Sequence, residues 1–469
     1  RERQTSPEFD HAAFIKEVLW EIYNENTLVK EHIEENLRVF NGGDPEAPNY
    51  DLLDALLSDQ HFRLSYWKVG TQELNYRRFF SINDLICLKV EKEEVFEHTH
   101  QLLFDLVEQG KIQGLRLDHV DGLYDPTQYL QRLREKMPET YITAEKILEP
   151  EEDLPEYWPI QGTTGYDFMN AVGGLLADTE SEDEMERCNR SLSGYHNSYE
   201  ALIQETKRNI IGRHMAGDVD NLAIALKNIT NRNRQGNDLT MYAVRRALVE
   251  ILSVFPIYRT YVNEEIISPR DKEVLEQVIQ EGKETAPHFV DALDLIGSSI
   301  LEALNGTGDE EVTHDWIQFV MRLQQYTGPL MAKGVEDTAF YVYNRLSSRN
   351  EVGSDPRIMA YSVEDFHDFN HRRLTHWPHA MNATSSHDTK RGEDTRARIC
   401  VISENPAEWE DNLVRWQQQN RQHKTRLNRR EAPSRNDEYL LYQTIIGASP
   451  FEGFHEDDFP RRLKDYMIK

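Results

Sequence analysis

Cysteine is scarce in this chain: Cys87, Cys188 and Cys400 are widely separated among 469 residues. Their odd number and wide spacing exclude a disulfide framework and a cysteine metal motif, and predict a reduced, cytoplasmic setting. Long apolar runs are missing as well; none approaches the roughly 18 residues of a membrane-spanning helix. Basic residues are few, 53 against 82 acids, for a formal net charge of −29. That deficit argues against nucleic acid or an anionic membrane as a partner, since both demand basic surface. His119, Asp121 and His387 stand in no His-x-x-His or Glu-x-x-His spacing, so neither a metal nor a cofactor is expected.

What is present suffices for a folded enzyme. Hydrophobic residues make up 39% of the chain, enough for real cores and two or three domains. Helical patterning marks Ala12–Tyr23 and Tyr50–Leu57, followed by an aromatic, arginine-rich stretch from Tyr66 to Phe80. Between 85 and 175 short strands alternate with amphipathic helices. Val95–Gly110 reads as a helix capped by Gly110, Gly114–Val120 as a strand, Pro126–Lys136 as a helix and Tyr141–Ile147 as a strand. This alternation is the rhythm of a parallel α/β barrel or sheet. From 176 to 375 the strand signal disappears, and apolar stripes such as Val244, Leu248, Ile251 and Leu252 follow helical spacing. The expected organisation is therefore a partial TIM-type (β/α)8 barrel over 1–175, an all-helical insertion over 176–375, and a return to the barrel over 376–469. Residues 417–436 read as a solvated helix and loop.

Three apolar runs end in acids: Gly-Leu-Arg-Leu-Asp at 114–118, Tyr-Ile-Thr-Ala-Glu at 141–145, and Ala-Thr-Ser-Ser-His-Asp at 383–388. A single strand-end acid is usually a turn former or a surface ion-pair partner. Three of them, each with polar company, suggest carboxylate-driven glycosyl transfer, because chemistry in α/β barrels sits at the carboxyl ends of strands. Retaining glycoside chemistry needs one ionised carboxylate and one protonated carboxyl about 5–5.5 Å apart. Arg116, on the same strand face as Asp118, would keep Asp118 ionised, and Glu145 in a drier place would hold its proton. His387 and Asp388 suit hydrogen bonding to sugar hydroxyls.

Arg116-x-Asp118, Glu145 and His387-Asp388 resemble motifs of the α-amylase superfamily, glycoside hydrolase family 13. Longer strings resemble its maltooligosyltrehalose synthase branch: residues 60–67, 73–80, 118–126, 162–168, 255–261, 333–341 and 387–398. The resemblance implies an intramolecular transglycosylase acting on a maltooligosaccharide, with Asp118 as nucleophile, Glu145 as acid/base and Asp388 as transition-state stabiliser. Arg116 and His387 would hold the reacting sugar, and the match extends the substrate-binding set to His119, Tyr166 and Lys390. Lys333, Glu336, Asp337 and Tyr341 would wall the acceptor pocket. A trehalose-releasing hydrolase is implied as a functional partner. The superfamily's first motif and a β-rich carboxyl-terminal domain are not found, so the expectation is an internal portion of a longer enzyme. A plain α-glucan hydrolase and a non-catalytic glucan-binding relative remain as alternatives, the second disfavoured because all three acids are present.

Overall fold

The structure, a computed structural model, describes residues 7–232, 236–451 and 458–468. The chain divides into two compact units, 1–70 and 71–469. In the first, α1 (Pro7–Glu25) is followed at once by α2 (Thr27–Phe40), and α3 spans Asp51–Ser58. Helix α2 was not marked in the sequence, although Val29, Ile33, Leu37 and Phe40 recur at helical spacing. Asn26 creates it: its side chain accepts from the N–H groups of Leu28 and Val29, capping a new helix one residue after the old one ends.

The second unit begins its regular structure with α4 (Glu93–Glu108), which ends at a left-handed Gly110, as expected. Then come β1 (Gly114–Leu117), α5 (Pro126–Lys136), β2 (Tyr141–Ala144), β3 (Gly162–Thr163) and α6 (Tyr166–Leu175). The three strands form one parallel sheet in the order β1-β2-β3, with Leu117 opposite Ala144. Asp125 caps α5 and Pro126 opens it, a start signal read directly from sequence. Trp158, Leu130, Leu133 and Ile142 pack between the sheet and α5.

No strand occurs between 176 and 375 among the described residues. Helices α7 (Glu182–Ser193), α8 (Tyr199–His214), α9 (Ala216–Thr230), α10 (Met241–Ser253), α11 (Pro269–Thr285), α12 (Val290–Leu304) and α13 (Glu310–Leu330) run in succession. The largest apolar core lies among α8–α13, with Val244, Leu248, Leu252, Leu293 and Phe319 inside it. At the end of α13, Pro329 removes a backbone donor, and the chain widens into a π-helical turn over Met331–Glu336. Helix α14 covers Val363–His376, followed by α15 (Glu393–Cys400), α16 (Pro406–Asn420), a β4–β5 hairpin (Thr425–Leu427 with Arg430–Ala432), α17 (Arg435–Ala448) and α18 (Phe459–Ile468). The hairpin replaces part of the loop expected over 417–436. No helix among the described residues is long and apolar enough to cross a membrane.

The strand expected at 383–390 does not form. The segment touches β3, through the Met381 N–H to Thr163 O bond, then breaks into a turn. There the Asp388 N–H donates to Ser386 Oγ, and the Thr389 hydroxyl donates to Ser386 O. Hydroxyl side chains thus supply local partners that compete with a sheet ladder. The close approach to β3 depends on two glycines with positive φ. A Cβ at Gly162 would lie 2.6 Å from the Ala380 methyl, and one at Gly165 would lie 2.6 Å from Ala383 N.

Candidate active site

Parallel pairing of β1 with β2 brings Asp118 and Glu145 side by side, each one residue past the last paired position. The Glu145 N–H donates to Leu117 O at 2.8 Å, extending the ladder to the acids. Arg116 Nη1 donates to Asp118 Oδ1 at 2.9 Å, and its Nη2 lies 4.0 Å from Glu145 Oε1. After Asp118 the chain turns sharply: His119 adopts φ 47°, a left-handed conformation uncommon outside glycine. This ends the strand expected to continue to Val120, and it aims the His119 N–H at Glu145 Oε2, 2.7 Å away.

The Arg116 guanidinium donates to Asp118 and lies 4.0 Å from Glu145, so the two carboxyls are neighbours that bias each other's protonation. Like charges held this way favour protonation of one partner. Burial, reinforced by Asp118, pushes the Glu145 pKa up to about 8. At Asp118 partial burial acts upward, but Glu145 and Arg116 outweigh it and hold the carboxyl below its ordinary range. At neutral pH the site thus holds one carboxylate and one carboxylic acid.

Tyr166 holds the third acid. Its hydroxyl donates to Asp388 Oδ2 at 3.0 Å and accepts from Ser386 Oγ at 3.1 Å, and it lies within electrostatic reach of Glu145 and Arg116. His387 Nε2 is 3.2 Å from Asp388 Oδ2. Asp388 comes from a turn rather than a strand, hydrogen-bonded to a tyrosine that feels the charge of Glu145.

His119 is half-buried against Phe80 (ring centroids 4.4 Å apart) and Phe79 (5.3 Å). Burial pulls its pKa down to about 4, so the ring is neutral. Phe80 in turn lies 5.3 Å from Lys333 Nζ. Asp337 bridges Lys333 (2.7 Å) and Lys390 (3.2 Å), and Lys390 Nζ sits 5.5 Å from the centre of the Tyr341 ring. Phe80, Lys333, Asp337, Thr338 and Pro329 line a cavity of 170 Å³. Glu336 departs from this group. It is 7% exposed and accepts from the Gly353 N–H at 3.0 Å, and burial raises its pKa to about 7. Its carboxyl faces the interior, correcting the expectation that it walls the pocket: the π-helical turn sends Lys333 outward and Glu336 inward. Phe79, Phe80 and Arg259 were not singled out from sequence, although they lie within the strings 73–80 and 255–261.

Carboxyls of opposite protonation at the ends of adjacent parallel strands are the equipment of carboxylate-dependent glycoside-processing enzymes. Comparisons with known proteins narrow that class. No family profile matches the chain. It is 31% identical over 411 residues to a Mycobacterium tuberculosis protein assigned as a maltooligosyl trehalose synthase, covering 87% of this chain and 49% of that protein. The maltooligosyltrehalose synthase from Arthrobacter ramosus superposes with a TM-score of 0.74 at 32% identity, over 88% of this chain and 49% of that one. DSM5389 glycosyltrehalose synthase gives 0.69 at 35% identity, over 91% of this chain and 49% of that one. The chain is thus similar over most of its length to maltooligosyltrehalose synthases, and it spans about half the length of the relatives it matches.

Proposed function

We propose that the protein isomerises maltooligosaccharides, converting the reducing-end α-1,4 bond into an α,α-1,1 bond by a retaining double displacement. The observation that carries this reading is the pair of acids at Leu117↔Ala144, one ionised and one protonated, in a chain similar to these synthases. Glu145 gives its proton to the glycosidic oxygen as Asp118 attacks the anomeric carbon. The bond to the terminal glucose breaks, and a glycosyl ester forms on Asp118. The released glucose stays bound and turns over, and its anomeric hydroxyl attacks the same carbon while Glu145 takes the proton back. Two inversions give net retention. Asp388, oriented by Tyr166 and His387, stabilises the oxocarbenium-like state, and Arg116 and His387 hold the reacting sugar.

In this reading the three parallel strands are consecutive staves of a (β/α)8 barrel, 176–375 is a helical insertion, and 376–469 returns to the barrel. Lys333, Asp337, Lys390 and Tyr341 wall the acceptor pocket, with His119 at its base. The enzyme acts in the cytoplasm, and a hydrolase that releases trehalose consumes its product.

Maltopentaose tests the proposal. The expected product is non-reducing and unchanged in mass, with little free glucose, as read by mass spectrometry and reducing-sugar assay. Shortened products that retain reducing ends support the hydrolase reading instead. The raised Glu145 pKa sets the pH dependence. Its acid form is required and is lost as pH rises through the pKa, so kcat should fall on an alkaline limb centred near pH 8. Full activity at pH 10 would remove Glu145 from the proton-donor role.

A further inference from the structure

Lys146 directly follows Glu145 in sequence but points into the protein, where its side chain is fully buried. Its ammonium lies 2.8 Å from Glu152 Oε1, 3.5 Å from Asp121 Oδ2 and 2.6 Å from Ile147 O. Asp121, 3% exposed, occupies the turn that follows Asp118. Its other carboxylate oxygen accepts from the Tyr261 hydroxyl at 2.6 Å, and its backbone carbonyl accepts from Arg259 Nη1 at 2.7 Å. Gln325 Nε2 donates to Gly122 O at 3.1 Å in the same turn. One buried ion pair therefore ties the segment after the first acid to the segment after the second, on the interior side of both. Between its ends stands His119, in a left-handed conformation that persists only where the surroundings over-determine it. Replacing a buried ion pair with well-packed apolar residues is often neutral for stability, which favours placement over stabilisation as the use of this one.

We propose that the Lys146–Asp121 pair is a positioning device that holds the His119 N–H on the Glu145 carboxyl and so fixes the spacing of the two acids. The inference rests on the two-carboxylate reading of the site. Neither residue touches substrate; both act through the His119 turn.

The test uses protein labelled with 15N at histidine. Burial keeps the His119 ring neutral down to about pH 4, so between pH 6 and 9 its amide resonance reports the titration of Glu145. That response should be present in the unsubstituted protein and absent in Glu145→Gln. In Asp121→Asn and Lys146→Met it should shrink at least about threefold, and kcat on maltopentaose should fall about 10–100-fold with KM changed less than about twofold. If Lys146→Met fails to fold, the Asp121→Asn/Lys146→Met/Glu152→Gln triple variant neutralises both carboxylates that face the ammonium and gives the same readout. Leu248→Ala, in the distant helical core, provides a destabilised control whose His119 response should be intact. Folded Asp121 and Lys146 variants that melt earlier but keep the full amide response would show a merely structural pair and overturn the inference. A response surviving Glu145→Gln would overturn the hydrogen bond itself, leaving transglycosylation to be judged by the maltopentaose assay.

Discussion

Asp118→Asn should abolish isomerisation and hydrolysis together, each by at least roughly a thousandfold. The substitution keeps the side chain's size and one oxygen for Arg116 to donate to, but removes the charge that Arg116 and Glu145 maintain. In the proposed scheme an amide cannot displace the leaving glucose, and both outcomes pass through the ester on Asp118. Parallel assays of glucose, reducing ends and non-reducing product on a variant with an unchanged melting temperature measure the effect. Loss of isomerisation with hydrolysis retained would mean that water attacks the sugar directly, and the double-displacement scheme would fall.

Substituting the acceptor wall should have the opposite signature. Lys333→Ala or Tyr341→Ala should leave total turnover within about an order of magnitude while raising the share of glucose released several-fold. In the proposed scheme the ester on Asp118 partitions between water and the retained glucose, and a held hydroxyl can have an effective concentration far above that of bulk solvent. Asp337 ties Lys333 to Lys390, whose ammonium faces the Tyr341 ring. Removing one member loosens the acceptor without touching the acids. A ratio of glucose to non-reducing product that stays constant in both variants would place the acceptor elsewhere.

Much of this site was legible because its parts are local. Arg116 and Asp118 are two residues apart on a strand, Glu145 ends the next strand, and parallel pairing brings the strand ends together. Helix α5 was readable for the same reason, its start marked by Asp125 and Pro126. The strand drawn through 383–390 failed because Ser386 and Thr389 bond within the segment, a competition that apolar patterning does not show. Glu336 was grouped with Lys333 by proximity in sequence, and the π-helical turn separates them. Lys146 and Arg259 stayed hidden because the turn they both reach, at Asp121, is remote from them in sequence. Charge buried by long-range contacts leaves no periodic trace.

Gly162 in β3 and Gly165 just after it carry a consequence for how this protein could change. The distance from Asp388 to the other acids is gauged by a hydrogen atom at Gly162 and a methyl at Ala380, with Gly165 and Ala383 forming a second such gauge. None of these four residues carries chemistry. Yet a single added carbon at either glycine would act as a shim, lifting the His387–Asp388 turn off the sheet. Selection for new substrates therefore has room at Lys333 and Tyr341, where side chains end in solvent or cavity, and almost none along this seam. Variant libraries should show it as a stretch intolerant of substitution although its own side chains do no chemistry.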